Sequence, residues 1–381
     1  MAFGRQGTHV TRSAERYFLD VVSGRRSGVD AAALRALLLA AEGPFRLAVG
    51  LRNHLYDHGY RTAVSLPRPT IGIGNLTTGG TGKTPMVCFL ATALAAAGRH
   101  PAVLMRGYKS DDEPRLIERL ISPAPVIPDA DRARGAKAAL EQHAGIDVFL
   151  LDDAMQHRRV RRDLEIVLIS AVCPWGYGHV LPRGLLRESR SGLKRADVVV
   201  ITHAAEAGDS ALSEIESVVR RHNANAAVLR SRHVITSFLA GGAAVALADL
   251  PYFVACGIGQ PESFAAQLAR LGKNCVGTRF YPDHHAFSDE EITTLIQRAA
   301  DAGAAAIVVT EKDWVKLAAL QSVRDSAVAF WRARLEIRFE AGGAERLLKL
   351  VNQRLANSPS MAESSAAAPP ARPEGSSTPP R

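Results

Sequence analysis

The chain has 381 residues, room for two or three domains at roughly 150 residues each. Its 47% hydrophobic and 22% charged content excludes a wholly disordered, collagen-like or coiled-coil chain. Lys plus Arg total 47 against 38 Asp plus Glu, and the resulting +9 favours phosphate-bearing partners without choosing among nucleotides, nucleic acid and anionic lipid.

Residues 1–30 read as a polar, Arg-rich extension without the apolar core of a signal peptide. Over 31–60, Leu34, Leu38 and Ala41, then Leu47, Leu51 and Leu55, recur at helical spacing on either side of Gly43-Pro44, which predicts an amphipathic helical pair. Two uses of its apolar face are open: packing on the domain behind it, or attachment to a membrane surface helped by Arg46 and Arg52. No apolar run approaches the roughly 20 residues that span a bilayer. From 61 to 240, strands at 70–73, 102–105, 147–151, 165–169 and 197–201 alternate with helices such as 86–97 and 131–143, the pattern of a parallel sheet wrapped by helices. A boundary is expected near 235–250, around Gly241-Gly242. Beyond it a second series over 250–356 has strands near 253–256, 306–309 and 328–330 and helices near 262–271 and 289–302. Residues 357–381 turn to Ser, Pro, Ala and Gly without an aromatic and read as a disordered tail. The expected fold is a P-loop NTPase-like α/β domain followed by a smaller, Rossmann-like α/β domain. Cys88, Cys173, Cys256 and Cys275 lie too far apart in sequence for a zinc motif or a disulfide framework, which fits a reducing cytosol.

The sharpest chemical signal is Gly74-Asn75-Leu76-Thr77-Thr78-Gly79-Gly80-Thr81-Gly82-Lys83-Thr84, between a predicted strand and a predicted helix. Glycines let backbone N–H groups curl around phosphate oxygens, Lys83 supplies charge to the β/γ-phosphates, and the Thr84 hydroxyl suits Mg²⁺. Thr77, Thr78, Gly79, Gly80, Thr81, Gly82, Lys83 and Thr84 are therefore the candidate nucleotide-binding residues. An apolar strand ending in Asp152-Asp153 supplies the carboxylate that a Mg²⁺-nucleotide site needs, and either Asp can be the ligand. Basic residues follow at Arg158, Arg159, Arg161 and Arg162, and again at Arg183, Arg187, Arg190, Lys194 and Arg195 around a Gly-rich loop. They make either solvated faces or the mouth for a second, anionic substrate. Thr310-Glu311-Lys312-Asp313 has the wrong residue order for a guanine-reading Thr-Lys-x-Asp. Aromatics at 6% are few for a nucleic-acid motor.

In their order along the chain, these motifs resemble the tetraacyldisaccharide 4'-kinases, the lipid A 4'-kinase family of Gram-negative bacteria, over roughly residues 40–350. The resemblance rests on the Gly74-to-Thr84 loop with Pro85, Arg106-Gly107-Tyr108, Asp112-Glu113-Pro114, Asp152-Asp153 with Gln156-His157, Leu186-Arg187-Glu188, Gly257-Ile258-Gly259, Asp283-His284 and Thr310-Glu311-Lys312-Asp313. It implies a peripheral enzyme on the cytoplasmic face of the bacterial inner membrane. The implied reaction moves the γ-phosphoryl group of ATP, with Mg²⁺, to the 4'-hydroxyl of an acylated glucosamine disaccharide 1-phosphate, without nucleic acid or an obligate protein partner. The family's base pair falls on Asp112 and His284, and Arg106, Tyr108, His157, Arg187 and Glu188 are implied to line the substrate mouth. The chain departs from the family in the short step from Tyr108 to Asp112, which leaves Asp111 as a second candidate carboxylate. Met105 and Ala154 also stand where Ser and Gly are usual. A cytosolic P-loop NTPase acting as a chaperone or metal-insertion factor is the alternative.

Overall fold

The computed structural model describes residues 17–107, 112–247, 250–259, 261–283 and 285–358. The expected tail beyond 358 and residues 1–16 of the polar extension lie outside the described residues. The apolar runs of the first half form β1 (Thr70–Asn75), β2 (Pro101–Met105), β3 (Val126–Pro128), β4 (Val148–Asp152), β5 (Leu164–Ser170) and β6 (Val198–Thr202). They lie in the order β6-β5-β1-β4-β2-β3, every pair parallel. All but β3 are buried along their whole length, as strands must be when helices cover both faces.

Over 31–60 one helix forms where two were expected. Helix α1 (Val29–Asp57) runs through Pro44 without a break. A proline inside a helix removes one hydrogen bond and crowds the preceding turn, but contacts on both sides of it hold this helix. Glu42 accepts from His179 Nδ1 at 2.8 Å and from the Val180 N–H at 3.2 Å. Asp57 accepts from Arg158 and Lys194, each at 2.7 Å. The apolar side is largely uncovered: Leu37, Leu47 and Leu51 are 67%, 73% and 56% exposed and fall on one side at 3.6 residues per turn.

Helix α2 (Lys83–Ala96) lays Met86, Leu90 and Leu94 on one sheet face, joined there by Ile117 of α3 (Asp112–Ile121). On the other face, α4 (Arg132–Gln142) contributes Ala136 and Ala139, and α5 (Asp209–His222) contributes Leu212, Ile215 and Val219.

The segment 235–250, where a boundary is expected, carries strands. In β7 (Ala227–Ala240) the first four residues pair in parallel with β6, and the strand from Ser231 onward pairs antiparallel with β12 (Ala329–Phe339). Gly241-Gly242 only turns β7 into β8 (Ala243–Val245). β9 (Tyr252–Cys256), β10 (Cys275–Phe280) and β11 (Ala306–Thr310) then complete one twelve-strand sheet among the described residues, ordered β10-β9-β11-β12-β7 on this side. Helices α6 (Pro261–Leu271) and α7 (Asp289–Asp301) pack on its two faces through Phe264 and Leu268, and through Ile292, Leu295 and Ala299. After α8 (Glu311–Leu317) and the short α9 (Gln321–Arg324), α10 (Gly343–Ala356) crosses back. Its Leu347, Val351 and Leu355 join the α2 core, so the second α/β series does not close on itself at its C-terminal end.

Candidate active site

β1 lies between β5 and β4, and the loop leaving its C-terminal end leads directly into α2. Ligands of open α/β sheets bind at this edge. Gly74 is required by close approach, since a β-carbon there would stand 2.5 Å from Met155 N. Gly82 caps α2 in the left-handed region at φ 84°, where side chains are disfavoured. Asn75 fixes the loop from inside, its amide donating to Thr77 O and Thr81 Oγ1, both at 2.8 Å. The outer limb is pinned by the Thr78 N–H on Leu185 O and the Arg187 N–H on Leu76 O, both at 2.7 Å. The result is a preset curl of backbone at a helix N-terminus, a ready anion site.

Lys83 Nζ lies 3.3 Å from Asn75 Oδ1 and 3.5 Å from Asp153 Oδ1. Arg187 donates to both oxygens of Asp153 at 2.7 Å. Burial pushes the Asp153 carboxyl up, but Lys83 and Arg187 outweigh it and hold it below the usual range. Asp152 differs: burial, then the neighbouring Glu113, pushes its carboxyl up to about 7. Its Oδ1 makes no hydrogen bond among the described residues. Glu113, on the first turn of α3, accepts from Thr84 Oγ1 at 3.0 Å. Thr84, Glu113 and Asp152 thus bring hard oxygen donors together around a buried carboxyl with an orphaned oxygen, a donor set that fits Mg²⁺. Among the described residues no three His, Cys, Asp or Glu form a complete metal cage. Mg²⁺ needs none, binding through one or two carboxylates plus phosphate and water oxygens.

The other residues singled out from sequence divide. Arg187 joins the phosphate loop through Asp153. Glu188 is only 2% exposed and accepts from Arg195 at 2.7 Å, Asn53 at 2.8 Å and Gln156 at 2.9 Å. Gln156 also donates to Asn75 O at 2.9 Å, so Glu188 ties α1 to the phosphate loop. Replacing Glu188 by Ala should cost about 3–5 kcal/mol because Arg195 is left buried and unpaired, and Glu188→Gln should cost less; urea unfolding of the two variants measures the difference. His157 is half-buried, and burial, reinforced by Arg132 and Arg162, pulls it down to about 4. It is neutral at pH 7. Arg106 is exposed at the end of β2. Tyr108, Asp111 and His284 lie outside the described residues, as does the side chain of Asp112, which opens α3.

Sequence reasoning gave no role to Asn75, Glu113 or Asn53, and only the loop motif hinted at the first. Within Thr310-Glu311-Lys312-Asp313, Asp313 accepts from Thr310 Oγ1 at 2.7 Å and the Gly257 N–H at 3.0 Å, while Lys312 donates to Asp283 at 2.7 Å. A cavity of about 320 Å³ opens between α1 and the 188–195 turn, lined by Arg46, Asn53, His54, Glu188, Lys194 and Arg195 among others. It adjoins the phosphate loop through Glu188 and Gln156.

A family model described as tetraacyldisaccharide-1-P 4'-kinase matches residues 34–353. The tetraacyldisaccharide 4'-kinase of Anaeromyxobacter dehalogenans is 38% identical over 318 residues, covering 77% of this chain and 84% of the relative. That of Syntrophus aciditrophicus is 38% identical over 326 residues, covering 76% and 86%. A crystal structure of LpxK from Aquifex aeolicus in complex with ATP superposes with a TM-score of 0.66 at 27% identity, over 84% of this chain and 99% of that one. With its phosphate loop, paired aspartates and Arg187 in one site, the chain belongs to the tetraacyldisaccharide-1-P 4'-kinase family.

Proposed function

We propose that this protein transfers the γ-phosphoryl group of ATP to the 4'-hydroxyl of a tetraacyldisaccharide 1-phosphate at the cytoplasmic face of the inner membrane, a step of lipid A biosynthesis. The observation that carries the reading is the preset phosphate loop, with Lys83 aimed at its mouth, in a chain of this family. ATP as donor is supported by the ATP complex of the Aquifex aeolicus relative. The chaperone or metal-insertion alternative has no such support.

Phosphoryl transfer needs positioning and neutralisation of charge more than covalent chemistry. Lys83 and the loop N–H groups bind the phosphates, and Arg187 orients Asp153 beside Lys83. Thr84 and Asp152 would hold Mg²⁺, which when bound would offset phosphate charge; Asp152 is preferred to Asp153 because its oxygen is orphaned. By family resemblance Asp112 takes the proton of the acceptor hydroxyl and His284 assists it, with Arg106, Tyr108, His157 and the Glu188 region at the acceptor side. The cavity beside Glu188 offers Arg46 to an anionic acceptor, the Lys194 and Arg195 of its lining being paired with Asp57 and Glu188. The test is ATP-dependent phosphorylation of a purified acyl-disaccharide 1-phosphate by the full chain in detergent, followed by mass spectrometry. ATP hydrolysis that never adds phosphate to that acceptor would overturn the reading.

Membrane attachment is supported by the exposed Leu37, Leu47 and Leu51 of α1, together with the absence, among the described residues, of a helix long and apolar enough to cross a bilayer. Such contacts are reversible. The protein should sediment with anionic vesicles and be released by salt or detergent. Leu47→Ser with Leu51→Ser should weaken vesicle binding by on the order of tenfold or more; an unchanged vesicle affinity would leave the exposed leucines without this role.

A further inference from the structure

On its β4 side the phosphate loop is held by charged groups, but on its β6 side it meets a chain of uncharged side chains that the reaction above does not use. At the end of β6 the Thr202 hydroxyl donates to the Thr81 carbonyl at 2.9 Å. That leaves the Thr202 oxygen as an acceptor 3.3 Å from His203 Nδ1. Ser170 Oγ lies 3.2 Å from the same nitrogen. His203 adopts left-handed backbone at φ 57°, and its Nε2 is 2.8 Å from Nδ1 of His233 on β7, the two rings edge-on with centroids 4.3 Å apart. When His203 Nδ1–H faces Thr202, the His233 Nδ1–H donates to His203 Nε2 and the contact between the rings is made with both neutral. Burial favours that state, holding His203 low and pulling His233 down to about 3.

The far edge of His233 faces the loop. Its Cε1 and Nε2 stand 2.7 Å from the point a β-carbon on Gly82 would occupy, and Nε2 is buried without a hydrogen bond among the described residues. The carbonyl of Thr81 and the α-carbon of Gly82, the two ends of one peptide unit, are thereby fixed from the same side. The orientation of that peptide unit determines where its N–H points. Phosphate recognition by backbone N–H groups depends on such preset geometry.

Resting on the ATP reading above, we propose that His203 and His233 are positioning residues for the nucleotide, a neutral imidazole pair that fixes the peptide joining Thr81 to Gly82 through Thr202 and through direct packing on Gly82. The pair touches neither carboxylate of the site, so its loss should act on nucleotide affinity and leave the chemical step alone.

Direct calorimetric binding of ATP to the full chain, with no acceptor present, is combined with kinetics at varied ATP. His233→Ala should weaken ATP binding and raise its KM about tenfold, below the roughly 10²-fold that a 1 Å misplacement can cost. In the same variant kcat at saturating ATP should stay within about twofold and the acceptor KM should not change. His233→Gln, which retains bulk and a polar edge, should recover most of the loss. Gly82→Ala should bind ATP poorly, and Gly82→Ala combined with His233→Ala should bind it more tightly than Gly82→Ala alone, because the ring that meets the new β-carbon is gone. Normal ATP affinity in His233→Ala overturns the inference, as does a Gln variant as impaired as the Ala variant, or a double variant no better than Gly82→Ala. A wild-type chain that binds no ATP would overturn the ATP reading and this inference together, whereas wild-type binding beside an unaffected His233→Ala overturns the inference alone.

Discussion

Lys83→Ala is expected to lower phosphoryl transfer by at least on the order of 10²- to 10³-fold, the usual cost of removing one preorganised group that stabilises transition-state charge. The fold should survive it. Lys83 stands at the loop mouth in a 3.5 Å ion pair with Asp153, and that carboxylate keeps both of its 2.7 Å contacts to Arg187 when the ammonium is gone. Asp153 is therefore not stranded, and the melting temperature should shift by only a few degrees. Lys83→Arg should rescue little, because a planar fork does not reproduce a compact ammonium reaching between Asn75 and the phosphates. Kinetics on the purified variants, beside a thermal melt of each, separate the outcomes. Wild-type turnover by Lys83→Ala would remove the phosphate-loop assignment, and a collapsed melt would mean that Lys83 holds the fold together.

The parts of this molecule legible in its sequence are those where one physical signal dominates over a short span. Short apolar runs gave β1, β4, β5, β6 and β9 to within a residue or two at each end, and the Gly-Lys-Thr ending gave the phosphate loop. What escaped depends on partners distant in sequence. Pro44 looked like a helix break because the stabilising contacts of α1 come from His179, Val180, Arg158 and Lys194. β12 was expected over only three residues, although Ala333, Leu335, Ile337 and Phe339 alternate with Arg334, Glu336 and Arg338 in the period-2 pattern of a half-buried strand, here one paired with β7. Gly241-Gly242, around which a boundary is expected, turns β7 into β8.

The site shows the same division. Lys83, Thr84, Asp152 and Asp153 announce themselves by local pattern. Arg187 on Asp153, Glu113 on Thr84 and His233 on Gly82 join residues between 29 and 151 positions apart, and no spacing rule connects them. The two aspartates were equivalent in sequence. Burial separated them: Asp153 is paired with two cations, whereas Asp152 retains an orphaned oxygen.

Asp112→Asn should lower kcat by on the order of 10²- to 10⁴-fold with ATP affinity little changed, because it retains size and polarity but removes a proton acceptor. The motivation is the family motif Asp112-Glu113-Pro114 together with one contact: Glu113, the next residue, accepts from Thr84 at 3.0 Å, so the start of α3 reaches the phosphate loop. Asp111→Asn should be mild by comparison. His284→Ala should cause a loss of the same kind as Asp112→Asn. If the two act as one unit, the double variant should lose less than the product of the single losses. Single-turnover measurements at saturating ATP read the chemical step directly and keep weakened binding out of the comparison. If Asp111→Asn proves the damaging change, the short step from Tyr108 has moved the carboxylate by one position. If neither aspartate matters, Glu113 becomes the acceptor to test, with a distinguishable signature: Glu113→Gln would disturb the Thr84 contact and the raised Asp152 carboxyl, so its loss should vary with Mg²⁺ concentration, whereas that of Asp112→Asn should not.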